Sequence, residues 1–185
     1  MAATSRPAGP AAPPAPSRGR GVTISIPRPP TPPMQIRPAT PFDAPAIRAL
    51  IDQYVASGTL LPRSETFIAS HCHNFLVADA RGVVGCVHLD EYSPSLAELR
   101  SLAVSPDAQG TGVGRALVAG TERLARRRGY ATLFAVSNDE EFFRKHGFHL
   151  RHIPELDRER SEVSRYKGVY AKDLSEAMVA APVGA

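Results

Sequence analysis

The chain has 185 residues, 43% hydrophobic and 22% charged, which is enough for one globular domain with a proper core plus a tail. Its formal net charge of +4 comes from Arg6, Arg18, Arg20 and Arg28, the only charged side chains of residues 1–33; the rest balances near zero, which argues against nucleic acid as a partner, since phosphate binding needs cations gathered on a folded surface. Cys72 and Cys86, without a CxxC partner, argue against a disulfide scaffold or a structural zinc site, and no apolar run approaches the ~18 residues of a membrane span, so a cytoplasmic protein is expected.

Residues 1–33 hold ten of the 18 prolines and no acidic residue, and read as a disordered Pro/Ala-rich extension. An arginine-bearing, acid-free leader also fits an organelle transit peptide, and Met34, directly ahead of the first strand-like residues, fits a weakly constrained extension. Beyond Met34 the pattern alternates between α and β. MQIRPAT predicts a short strand; Asp43 then caps a helix whose apolar positions Ile47, Leu50, Ile51 and Tyr54 keep three-to-four spacing up to Gly58. LLPRSETFIASH predicts a loop and a short helix started by Ser64, and FLVADARGVVGCVHLDEY a hairpin turning at Arg81-Gly82. SLAELRSLAVS predicts a strand, GVGRALVAGTERLARRRG a helix, ATLFAVS a strand, NDEEFFRKHG a short helix, and FHLRHI and YKGVYAKDL the closing strands. The fold class expected is α/β (α+β): a mixed, mostly antiparallel central sheet flanked by helices.

Between the strand ending in Val104 and the helix that follows lies SPDAQGTGVGR. Glycines at 110, 112 and 114 at a helix start leave outward N–H donors at the positive end of the helix dipole, an arrangement that attracts anions and lets a phosphate approach closely. A P-loop is excluded, because Arg115 and Ala116 stand where lysine and a hydroxyl are needed; the dinucleotide fingerprint GxGxxG is excluded, because it requires glycine at position 115. The remaining alternatives are a plain helix cap and a phosphate cradle of another kind.

At residue level, Gln109-Gly110-Thr111-Gly112-Val113-Gly114 resembles the QxxGxG signature of the GNAT superfamily of acetyl-CoA-dependent N-acetyltransferases, with LRSLAVSP before it and EFFRKHGF after it in that family's order. The resemblance covers residues 34–174 as the acetyltransferase domain and leaves 175–185 as a flexible tail. It implies acetyl-CoA as co-substrate and no metal: Leu102, Ala103 and Val104 would hold the pantetheine arm, Gln109 and Gly110 to Arg115 the pyrophosphate, and Asn138 and Phe143 would flank the cofactor. It also implies Glu98 as the group that takes the amine proton and the Val104 N–H as the polariser of the thioester carbonyl. GTLLPRS, AELRSLAV and EFFRKHGF together resemble the short stand-alone N-acetylglutamate synthases, which acetylate the α-amine of L-glutamate at the head of arginine biosynthesis. That narrower resemblance implies Arg63 on the amino-acid carboxylate and Arg165, with Lys167 beside it, on the second one. A guanidinium can grip each carboxylate with two parallel hydrogen bonds. Arg100 would be a third carboxylate contact or the partner that keeps Glu98 ionised. A homodimer is compatible with this reading.

This chain also departs from the pattern. Tyr166 stands where the closing motif has serine, and Phe143 stands where many superfamily members place a tyrosine that protonates the thiolate. Strict alternation would put Glu98, Arg100, Leu102 and Val104 on one strand face, where Glu98 and Arg100 could be a plain ion pair. Asn138 could equally cap the short helix. Two readings stand beside the glutamate synthase: an acetyltransferase for another amino acid or small amine, and a non-catalytic acetyl-CoA sensor.

Overall fold

A computed structural model describes residues 33–158 and 167–175, so the expected extension, the C-terminal tail and Arg165 lie outside the described residues. Runs of apolar and alternating residues form one sheet in the order β1–β2–β3–β4–β5–β7–β6. The strands are β1 (Gln35–Pro38), β2 (Phe75–Asp79), β3 (Val83–Ser93), β4 (Leu96–Val104), β5 (Thr132–Ser137), β6 (His149–Leu150) and β7 (Gly168–Asp173); the helices are α1 (Ala44–Val55), α2 (Glu65–Ser70), α3 (Val113–Arg127) and α4 (Glu140–Lys145). Every pairing is antiparallel except β4 with β5, which gives the expected mixed sheet with its helices. Among the described residues no helix is long and apolar enough to cross a membrane.

Helix starts follow local chemistry, with two corrections to the sequence reading. Asp43 does not cap α1 with its side chain; it closes a capping box with Thr40 one turn earlier, accepting the Thr40 N–H at 2.7 Å and so opening the 3-10 turn Pro41–Asp43 that runs into α1. Arg37 locks this corner, its guanidinium reaching both Asp43 (2.8 Å) and Asp79 (2.9 Å), and the hydrogen bond from Arg37 holds the Asp43 carboxyl well below the usual carboxylate range. The second correction falls at α4, where Asp139 rather than Asn138 is the cap, accepting the Phe142 N–H at 2.9 Å. Ser64 starts α2 as expected, accepting the Phe67 N–H at 3.1 Å. The closing strand β6 is only two residues long, His149 and Leu150, both exposed and paired with Ala171 and Tyr170 of β7.

Each sheet face carries its own core. On one face Leu117 and Val118 of α3 pack on Val87, Leu89 and Leu99, and α3 lies close because Gly85 has no side chain: a Cβ there would stand 2.9 Å from both Leu117 and Val113. On the other face Ile47, Leu50 and Ile51 of α1 and Ile68 of α2 pack on Phe75, Val77 and Cys86. Each such side chain removed from water contributes on the order of 1.5–3 kcal/mol.

The feature that shapes the site is a bulge in β4. Cys86 pairs with Ala103 and His88 with Arg100, so Ser101 and Leu102 together stand opposite Val87, and Ser101 takes the left-handed conformation at φ 50°. The extra residue reverses the alternation. Glu98 and Arg100 therefore do not share a face with Leu102 and Val104, contrary to strict period-two counting: the latter two pack with Leu99 against the α3 core, and Ala103 joins Cys86 in the α1–α2 core.

Candidate active site

Parallel pairing of β4 with β5 is limited to Leu96–Glu98 against Thr132–Phe134. Beyond Glu98 the two strands part, and a cleft of about 1550 Å³ opens between them, walled by the loop after α1, the start of α3 and α4. The Ser105 N–H donates to the Val84 carbonyl at 2.8 Å, so backbone alternation turns the Val104 N–H and C=O toward this cleft, away from β3. Among the described residues this stretch of β4 has no partner strand on its cleft side, the kind of edge that an extended amide chain can pair with.

The glycine turn lies at the end of that edge. Gly110 (φ 73°) and Gly112 (φ 90°) are both left-handed, and Gly112 is the N-cap of α3. The Ala116 N–H donates to the Gly112 carbonyl, so the N–H groups of Val113, Gly114 and Arg115 have no partner within the helix. A Cβ on Gly114 would meet the Phe142 ring at 3.3 Å, which keeps α4 close beside this helix start. Tyr54, at the end of α1, holds the corner: its hydroxyl donates to the Val104 carbonyl and accepts from Gln109 Nε2 at 2.8 Å. Helical spacing identifies Tyr54 only as a core position; the hydroxyl is the part of it that reaches the site, and nothing in the periodicity reports that.

Deeper in the cleft, where β3 and β4 still pair, is a charged cluster. Arg100 Nη1 binds Asp90 Oδ2 at 2.7 Å, while its Nε is 3.6 Å from Glu98 Oε2, an ion pair without a hydrogen bond. The Glu98 side chain is 16% exposed, and burial pushes its carboxyl up to about 7; Arg100 pulls the value back and Asp90 pushes it further. Arg100 is thus held mainly by Asp90, while its looser ion pair is the contact that Glu98 makes. Arg63, from the loop before α2, lies with its guanidinium 5.5 Å from the centre of the Phe67 ring, and its buried Nε has no hydrogen-bond partner among the described residues. Burial, with Arg100 nearby, holds the Arg63 guanidinium below its ordinary value.

Comparison with known proteins assigns this architecture. The acetyltransferase (GNAT) domain family matches residues 70–150. An uncharacterised N-acetyltransferase of Chlorobaculum tepidum is 36% identical over 114 residues, 61% of this chain and 74% of that one. The chain belongs to the GNAT acetyltransferase family. An amino-acid acetyltransferase of Mycobacterium tuberculosis is 36% identical over 117 residues, 61% of this chain and 67% of that protein. Among solved structures, the N-acetylglutamate synthase from Neisseria gonorrhoeae complexed with coenzyme A and N-acetyl-glutamate superposes with a TM-score of 0.70 at 32% identity, over 76% of this chain and 35% of that one. The GNAT chain thus spans about a third of that synthase's length.

Most of the site residues expected of this GNAT enzyme line the one cleft. Arg63, Glu98, Arg100, Leu102, Ala103, Val104, Gln109, Gly110, Thr111, Gly112, Gly114, Arg115, Asn138, Phe143 and Lys167 are all at its wall. Val113 is the exception: its side chain is in the α3 core, 4% exposed, and only its backbone amide belongs to the turn. Phe143 is buried, with its ring parallel to that of Tyr170 at 5.9 Å. Lys167 Nζ donates to the carbonyls of Gly58 and Thr59, tying the start of β7 to the loop after α1. Two further members of the charged cluster, Asp90 and His88, escaped the sequence reading because on β3 they look like the ordinary polar interruptions of a strand. His71 stacks on Phe67 at 4.3 Å, and among the described residues no three metal-ligating side chains cluster.

Proposed function

We propose that the protein is an amino-acid N-acetyltransferase that moves the acetyl group of acetyl-CoA to the α-amine of an acidic amino acid, with L-glutamate as the substrate, the reaction that opens arginine biosynthesis. The observation that carries this reading is the cluster at the bulge: a buried carboxyl raised to about 7 beside two arginines, at the inner end of a strand edge, unpaired among the described residues, that leads to a glycine turn. The Mycobacterium relative is named for amino-acid acetylation and the Neisseria structure holds coenzyme A and N-acetyl-glutamate, which supports the same substrate class here.

Coenzyme A enters with its pyrophosphate on the amides of Gly112 to Arg115 and its pantetheine arm along Leu102 to Val104, completing the sheet edge. The substrate carboxylate meets Arg63. As the amine nitrogen attacks the thioester carbonyl carbon, an N–C bond forms and the C–S bond breaks. Glu98, ionised, takes the proton leaving the nitrogen, directly or through one water, and the Val104 N–H stabilises the charge developing on the carbonyl oxygen. The electron pair of the broken bond leaves on sulfur. The thiolate takes its proton from water, since Phe143 has no proton to give and a thiol pKa near 8.5 makes the thiolate a tolerable leaving group.

Thiol release measured against the twenty amino acids, with glutamate, glutamine and aspartate separated, tests this. Glutamate is expected to give the highest kcat/KM, and Arg63→Ala to raise its KM by about 10- to 100-fold, the worth of a charge-assisted bidentate contact, with acetyl-CoA affinity retained. Equal rates for glutamate and alanine overturn the acidic substrate, and no release with any amine overturns the enzyme reading in favour of a coenzyme sensor.

A further inference from the structure

Among the described residues three buried side-chain nitrogens have no hydrogen-bond partner, and all three lie in one corner: Arg63 Nε and both ring nitrogens of His88. His88 is 1% exposed, on β3 directly across from Arg100. Its ring stacks on Phe75 at 4.4 Å and 22°, and meets Phe67 edge-on at 5.8 Å. The same Phe67 ring carries the Arg63 guanidinium at 5.5 Å, so the two unpartnered residues approach each other around one phenylalanine.

An apolar ring would satisfy this packing without leaving polar atoms unpaired. A buried donor or acceptor without a partner costs on the order of 1–3 kcal/mol, and native structures leave few of them without a reason. The charges around His88 limit what it does. Burial pushes its pKa down to about 4, with Asp90 opposing the fall and Arg63, Arg100 and His71 adding to it, so it is a neutral imidazole with one acceptor nitrogen. Arg63 Nε–H is a donor with no acceptor.

We propose that His88 is a positioning residue for substrate recognition: it accepts the Arg63 Nε–H across one bridging water, and so holds the guanidinium with its two terminal nitrogens aimed at the substrate carboxylate. The proposal rests on the reading that Arg63 meets that carboxylate. A guanidinium held only by its stacking on Phe67 is free to rotate; one anchored through Nε presents its fork in a fixed plane, which bidentate binding requires. His88 itself touches neither substrate nor coenzyme, being sealed beneath the cleft floor.

Steady-state kinetics on the full chain tests this with four variants. His88→Phe keeps ring volume and removes the acceptor; its KM for the amino acid is expected to rise about 5- to 10-fold, while the acetyl-CoA dissociation constant and the melting temperature stay near those of the parent. His88→Asn and His88→Gln place an amide oxygen near Nδ1 and Nε2 respectively, and one of the two is expected to recover most of the lost affinity, which identifies the accepting nitrogen. Arg63→Ala serves as the reference. If Arg63→Ala raises KM and His88→Phe does not, or if neither amide variant restores binding, His88 is only packing and the proposal fails. If Arg63→Ala leaves KM unchanged, the assignment of Arg63 to the substrate carboxylate is what fails, whatever His88 does.

Discussion

Glu98→Gln is expected to lower kcat/KM by about 100- to 1000-fold at pH 8, the usual contribution of a positioned general base, while making the protein more stable at that pH. Both effects have the same cause. The carboxyl is buried under the bulge, and its pKa of about 7 in the folded protein lies above the usual value of 4.5. Above pH 7 the group is ionised in both folded and unfolded chains, and folding bears the full cost of burying the charge. That cost shrinks as pH falls from 7 toward 4.5 and is absent below, where both states are protonated. Removing the charge with an isosteric amide therefore stabilises by about 3 kcal/mol above pH 7, or about 6–12 °C in melting temperature for a chain of this size, and by nothing below about pH 4.5. The parent's kcat/KM should accordingly rise with pH through about 7 as the base ionises. A Glu98→Gln enzyme with parental activity, or one less stable at pH 8 and no different at pH 4, contradicts the assignment of this carboxyl as base.

Gly112→Val is the second large effect. Gly112 sits at φ 90°, where a β-branched residue is strained by roughly 1–2 kcal/mol, and its side chain would enter the space that a diphosphate needs. No other side chain blocks the site in the parent, where a Cβ would touch nothing nearer than Arg115 Nη2 at 3.7 Å. Loss of coenzyme affinity by about 100-fold or more is expected, corresponding to about 3 kcal/mol, with circular dichroism unchanged because Gly112 precedes the helix instead of packing within it. An unchanged coenzyme dissociation constant in a folded Gly112→Val protein would remove the glycine turn from the binding site.

The order of elements was legible in the sequence because each boundary has its own chemistry: Ser64 ahead of α2, Arg81-Gly82 at the hairpin, and the glycines ahead of α3. Asp43 and Asn138 show how far such reasoning reaches. A short polar residue before a helix marks the start to within a residue or two, but which side chain bonds which amide depends on the exact turn: Asp43 accepts the Thr40 amide a turn before α1, and Asp139, not Asn138, accepts the Phe142 amide. The larger miss is the bulge at Ser101. Period-two counting has no register for an inserted residue, so the faces of Glu98 and Val104 came out wrongly shared, and the divergence of β4 from β5 that makes the cleft could not be foreseen. His88 and Tyr54 lay hidden for a related reason. Each is a residue that ordinary strand or helix packing accommodates, and only their neighbours in space, Arg63 for one and the Val104 carbonyl for the other, give them a part in the site.

Titration calorimetry of the folded chain with coenzyme A and with acetyl-CoA is the most direct test of the whole account. One-to-one binding to the parent, lost in Gly112→Val and kept in Arg63→Ala, is the predicted outcome. Heat no greater than dilution for both ligands, from a protein that melts cooperatively, would contradict it.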